Sequence, residues 1–260
     1  MTMELPAIAR IAAALVAALL ISFIATPVVK SIAQMVGAVD VPKDNRRMHN
    51  HPIPRDGRVG DFLGFLLSTL IFVPMSSSMR GMLLGGVIIV ILGIFDDIYA
   101  LPALPKLLVQ IAAALVAVLH GNVIQVLSTP IFSVRIPTGP WAPWRSPWSV
   151  IWIVAITNAV NLIDGLDGLA VGVATISSLT MLVIAMLVSE NVVALMMAAL
   201  AGGCIGFMPY NLNPAKIFMG DTGSTFLGFV LATVSIQGPI QVLHHHFLCG
   251  ALLDAGPASV

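Results

Sequence analysis

The chain has 260 residues, 58% of them hydrophobic and only 9% charged, with a mean hydropathy of +1.00. A soluble domain carries about 25% charged residues, so a water-soluble fold is excluded. Twelve basic residues balance twelve acidic ones, and a neutral chain offers nucleic acid no bulk attraction.

Apolar runs approaching the length of about 20 residues needed to cross a bilayer recur along the chain. They are continuous rather than alternating, which predicts helices and not barrel strands. Eight spans are predicted, near 6–29, 62–79, 81–96, 104–120, 148–163, 169–188, 191–208 and 223–238. The expected fold is therefore an all-α, polytopic integral membrane bundle. The first run is too long for a signal-peptide core and is read as a retained helix. The polar stretch 30–61 holds Lys30, Lys43, Arg46, Arg47, Arg55 and Arg58. The positive-inside rule makes it cytoplasmic and places the N-terminus outside. Threading onward puts loops 95–106, 157–168 and 209–223 on the cytoplasmic side too. Residues 123–136 alternate enough to predict a short external β-hairpin, and Trp141, Trp144 and Trp148 read as an interfacial belt. Cys204 and Cys249 lie in apolar surroundings without metal-ligand spacing. A transmembrane domain over 1–240 is expected, followed by a divergent or truncated tail over 241–260.

Carboxylates are sparse in this chain, yet Asp96, Asp97, Asp164, Asp167 and Asp221 all fall at span ends on the threaded cytoplasmic side. Lysines and arginines alone set that orientation, so the convergence checks it independently. Such acids are costly in a membrane and point to function. Asp96 and Asp97 end the run GVIIVILGIFDD. Helix neighbours point about 100° apart, so one faces a site while the other orients a partner, or the pair is a solvated helix end. Asn158, Asn161, Asp164 and Asp167 recur every third residue in TNAVNLIDGLDGLA. That spacing keeps them on one slowly drifting face, and loosening near Gly165 and Gly168 would let the last members project from a turn. Hard oxygen donors suit Mg²⁺ or Mn²⁺ and not zinc; a polar stripe satisfied by neighbouring helices is the alternative. Asp221 lies in PAKIFMGDTGST just before the last span. A helix N-terminus there would attract phosphate, with Asp221 placed to hold a metal; otherwise Asp221 or Thr222 is an N-cap. Arg46, Arg47 and His49 are candidates to hold phosphate, although topology alone accounts for most of the loop's charge. Lys106, at the start of the fourth span, either snorkels or neutralises substrate phosphate.

These segments resemble the polyprenyl-phosphate N-acetylhexosamine-1-phosphate transferases, of glycosyltransferase family 4 type. The matching stretches are DVPKDNRRMHNHPIPR from Asp40, FDDIYALPALPKLLVQ from Phe95, TNAVNLIDGLDGLA from Thr157 and PAKIFMGDTGSTFLGF from Pro214. The resemblance implies transfer of N-acetylglucosamine 1-phosphate from a UDP-sugar to undecaprenyl phosphate, with release of UMP and use of Mg²⁺ (or Mn²⁺). The second branch of the family, phospho-N-acetylmuramoyl-pentapeptide transfer, is the alternative. It implies Asp221 and Asn161 at the metal, Asp96 or Asp97 at the lipid phosphate with Asp96 as base, and Asp164 and Asp167 on the nucleotide side. Asn158, Arg46, Arg47, His49 and Lys106 are assigned to substrate. Implied partners are a UDP-N-acetylhexosamine, undecaprenyl phosphate and membrane lipid, with no nucleic acid; a homodimer is entertained. The implied location is the bacterial cytoplasmic membrane, with the site on the inner face. The chain departs from the family pattern at Asp56-Gly57-Arg58, at Asp61 and at its tail, where His244, His245 and His246 follow the eighth span directly. An inactive truncated member and a cation or proton transporter are the competing expectations.

Overall fold

The computed structural model describes residues 5–36, 39–40, 53–54, 59–99, 101–124, 126–128, 133–135 and 145–237. Eight α-helices occupy most of them: α1 (Leu5–Val36), α2 (Val59–Phe72), α3 (Ser77–Tyr99), α4 (Ala103–Leu119), α5 (Arg145–Ile163), α6 (Leu169–Leu187), α7 (Asn191–Asn211) and α8 (Gly220–Gln237). Two minimal antiparallel ladders accompany them. β1 (Val39–Asp40) pairs with β2 (Ile53–Pro54), and β3 (Val126–Ser128) pairs with β4 (Ser133–Arg135). The second ladder is the hairpin expected from the alternation in 123–136.

Four helices, α1, α3, α6 and α7, are long and apolar enough to cross a bilayer; α2, α4 and α5 are shorter apolar helices. The eight expected spans thus each correspond to one helix, with one boundary moved. The break expected near residue 80 falls at 73–76, so α2 ends at Phe72 and α3 begins at Ser77. Pro74 resists helix continuation. Ser76 then caps the next helix, its Oγ accepting the Met79 N–H at 3.1 Å.

The helices form two interlocked groups. α7 packs mostly against α1, α2 and α6, while α8 packs mostly against α3 and α5, and α4 fits beside α3 and α5. Small residues allow the tight α1–α7 seam: Ala14, Ala18, Ala198 and Ala201 are fully buried. Phe226 of α8 joins the groups, meeting Phe62 edge-on at 5.2 Å and Phe65 at 5.6 Å between ring centroids. α8 is the most enclosed helix, buried from Thr222 to Val234, and this central position brings its N-terminus to the ends of α3, α4, α5 and α7.

At the opposite end, Asn122 closes the α3–α4–α8 side. Its Nδ2 donates to Ser78 O at 3.0 Å and Ala117 O at 2.9 Å, and its Oδ1 accepts from Ser78 Oγ at 2.5 Å and from Gln237 Nε2.

Candidate active site

A cavity of about 280 Å³ opens where α3, α5, α7 and α8 meet. Asp97 comes from α3, Asn161 from α5, Asp164 to Asp167 from the α5–α6 turn, and Asn211 from the end of α7. Phe218, Met219, Gly220 and Asp221 close it from the start of α8. Acids drawn from three separate segments therefore share one concave surface. A polar stripe dispersed among helix contacts would not do this.

An ion-pair cluster among the described residues lies at its edge. Lys106 Nζ is 2.5 Å from Asp96 Oδ2 and 3.0 Å from Asp221 Oδ2. Asp96 is buried, and its other oxygen accepts the Leu101 N–H at 2.8 Å. Asp97 turns toward α8, where Thr222 Oγ donates to its Oδ2 at 2.6 Å. The adjacent aspartates thus do different things, as the 100° step between helix neighbours requires. Asp97 lines the cavity; Asp96 grips the lysine behind it.

Local sequence explains how α8 enters. Gly220 has φ +56°, in the left-handed region that favours glycine. Asp221 sits in the first helical turn. Neither Asp221 nor Thr222 is the N-cap, since the helix already begins at Gly220 and their side chains reach Lys106 and Asp97. Gly93 lets α3 approach closely: a Cβ there would lie 2.7 Å from Thr222 Oγ.

The Asn–Asp ladder divides at the helix end. Asn158 and Asn161 stand on α5, which stops at Ile163; Asp164 and Asp167 project from the following turn. Ser224 Oγ lies 2.7 Å from Asn161 Oδ1 and 2.8 Å from Gly220 O, and its single proton serves one of them. Asp167 Oδ2 accepts from Asn213 Nδ2 at 3.2 Å and from Ala215 N at 3.1 Å, so it also fastens the segment leading into α8. Asn158 is not among the cavity's lining residues; its Nδ2 donates to Gln110 Oε1 at 2.6 Å. Arg46, Arg47, His49 and His244 to His246 lie outside the described residues.

Several participants were not singled out from sequence. Gln110, four residues after Lys106, was detectable as a buried polar position on the same face of α4. Thr222 was read only as a possible helix cap, and Ser224 was visible only as part of the GDTGS run. Asn211 carried no signal. It is buried at the end of α7, donates to Ile217 O at 3.0 Å, and its Oδ1 has no hydrogen-bond partner among the described residues.

One carboxylate oxygen each from Asp96, Asp97 and Asp221 lie within 4.8 Å of one another. An all-oxygen set of that kind fits a hard divalent cation such as Mg²⁺ better than zinc. The Lys106 ammonium already placed among these groups shows that they favour positive charge.

Fold and site together define a predominantly helical membrane protein with an acidic cavity, suited to a hard cation, at one end of its bundle. Residues 79–239 match the model for glycosyl transferase family 4, and the chain belongs to that family. It is 40% identical over 230 residues to the probable undecaprenyl-phosphate N-acetylglucosaminyl 1-phosphate transferase of Bacillus subtilis, covering 88% of this chain and 63% of that protein. It is 36% identical over 243 residues to the decaprenyl-phosphate N-acetylglucosaminephosphotransferase of Mycobacterium tuberculosis H37Rv, covering 86% and 60%. The phospho-N-acetylmuramoyl-pentapeptide-transferase of Limosilactobacillus fermentum matches at 47% over a shorter stretch, 41% of this chain and 32% of that protein. The chain thus spans about three-fifths of the length of the first two relatives.

Proposed function

We propose that the chain transfers N-acetylglucosamine 1-phosphate from a UDP-sugar to undecaprenyl phosphate, releasing UMP. The observation that carries this reading is the meeting of Asp97, Asp221 and Lys106 at the N-terminus of α8, beside the acidic cavity. Helix N-termini favour phosphate, and carboxylates beside them suit a phosphate-bound divalent ion. The names of the relatives that cover most of the chain support a polyprenyl phosphate acceptor and N-acetylglucosamine phosphate as the group transferred.

In this reading Asp221 and Asn161 hold Mg²⁺ or Mn²⁺, with Asp97 within reach. When bound, the ion neutralises charge on the donor diphosphate and on departing UMP. The chain's own groups do the positioning. The α8 N-terminus receives the diphosphate, Asp164 and Asp167 bound the nucleotide side, and the Oδ1 of Asn211, which has no hydrogen-bond partner among the described residues, accepts a donor from the ligand. An oxygen of the lipid phosphate attacks the phosphorus that bears the sugar; the bond to UMP breaks. Direct attack is preferred to a covalent step on Asp221, because a carboxylate engaged by a metal is a poor nucleophile. Asp96 was expected to serve as base. Because Asp97 lines the cavity while Asp96 is held by Lys106 and Leu101, we assign the contact with the lipid phosphate to Asp97. Asp96 then anchors Lys106 beside it. The basic residues of loop 30–61 support a cytoplasmic side for this face, by the positive-inside rule.

The test is transfer of label from UDP-N-acetylglucosamine to undecaprenyl phosphate by purified protein. Label in the lipid phase that disappears with EDTA supports the proposal. Absence of transfer by folded protein would refute it for this chain. Transfer from UDP-N-acetylmuramoyl-pentapeptide instead would move the chain to the other branch.

A further inference from the structure

We propose that Lys106 is a resident counter-cation that holds Asp221 until a divalent ion takes that carboxylate. The inference rests on the metal site proposed above and adds a competitor to it.

Lys106 Nζ contacts oxygens of both Asp96 and Asp221, and those carboxylates belong, with Asp97, to the group that converges within 4.8 Å. An ammonium therefore occupies part of the space a metal ion would use. Cations that share one carboxylate oxygen repel strongly at such range. The two contacts are unequal. Asp96 is the closer partner at 2.5 Å, its side chain is 4% exposed, and its second oxygen is held by Leu101 N–H. Asp221 is more distant at 3.0 Å, and its side chain is 38% exposed. A buried carboxylate gives up its counter-charge less readily than one near solvent. Asp221 is the partner released, and Lys106 stays on Asp96. The site accommodates both cations only if they sit on different carboxylates.

The probe is Mn²⁺ alone, titrated into the purified full chain with free Mn²⁺ followed by electron paramagnetic resonance. Lys106→Gln should bind Mn²⁺ several-fold more tightly than the wild type, whereas Lys106→Arg should not. Independently, the rate at which an amine-acylating reagent modifies Lys106, read by peptide mass spectrometry, should rise on adding Mn²⁺ to the wild type. In Asp221→Asn that rate should be raised from the start and indifferent to Mn²⁺. Unchanged or weaker binding by Lys106→Gln overturns the inference, as does wild-type acylation that falls or stays level with Mn²⁺. If wild-type binding is lost in Asp221→Asn while Lys106→Gln binds like wild type, only the counter-cation role fails. If the wild type shows no binding that Asp221→Asn removes, the metal site fails with it. The acylation readout needs no substitution at Lys106, so a misfolded variant does not shield the inference.

Discussion

Thr222 sits between two helices and donates to Asp97 at 2.6 Å. A hydrogen bond to a charged group contributes about 1.5–3 kcal/mol, so its loss should reduce turnover by roughly tenfold or more if Asp97 must be oriented. Thr222→Val should therefore lower kcat with little change in KM for the UDP-sugar, and Thr222→Ser should restore most of the loss. Steady-state kinetics decide this; full activity in the valine variant would mean that Asp97 needs no such support. Sequence placed the carboxylates well, because charge at the end of an apolar span is rare and costly. It could not say which partner each one takes. The split between Asp96 and Asp97 depends on where α4 and α8 dock, and Asn211, an ordinary amide beside Pro209, reads as nothing until α7 and α8 are packed together.

Among the elements, the crossing of α3 with α8 carries most of the site. Gly93 makes it tight, and a methyl group there would press on Thr222. Overpacking of this kind costs about 1–3 kcal/mol. Gly93→Ala should lower both Tm in detergent and activity; an unaltered Tm would show that the helices part without strain. The far end of the same helices is held by Asn122, whose amide meets Ser78, Ala117 and Gln237. Asn122→Leu would orphan these groups at about 1–3 kcal/mol each, so Tm should fall by several degrees, measured by thermal unfolding in detergent. Apolar run length made all eight helices legible. The missed boundary before α3 arose because VPMSSS is apolar enough to blur into its neighbours, while the decisive features were a proline and a serine cap.

For the whole molecule, convergence matters more than any single motif. Helix ends and a turn distant in sequence deliver Asp97, Asn161, Asp164, Asp167 and Asp221 to one cavity at one end of the bundle. A transporter would instead place acids near mid-span between repeated halves. Asp61 is the nearest candidate for such an acid: it is buried, and its Oδ2 lacks a partner among the described residues. It stands in the first turn of α2 and does not line the cavity. The order of segments along the chain foretold the convergence once the positive-inside rule was applied. The seam between the two helix groups was not legible, since Phe62, Phe65 and Phe226 look like any other apolar residues in a membrane span. The most direct test of the whole account compares wild type with Asp221→Asn in metal-dependent transfer of label from UDP-N-acetylglucosamine to undecaprenyl phosphate. The wild type should transfer label robustly and the variant essentially not at all; undiminished transfer by Asp221→Asn would contradict a metal-holding role for that carboxylate.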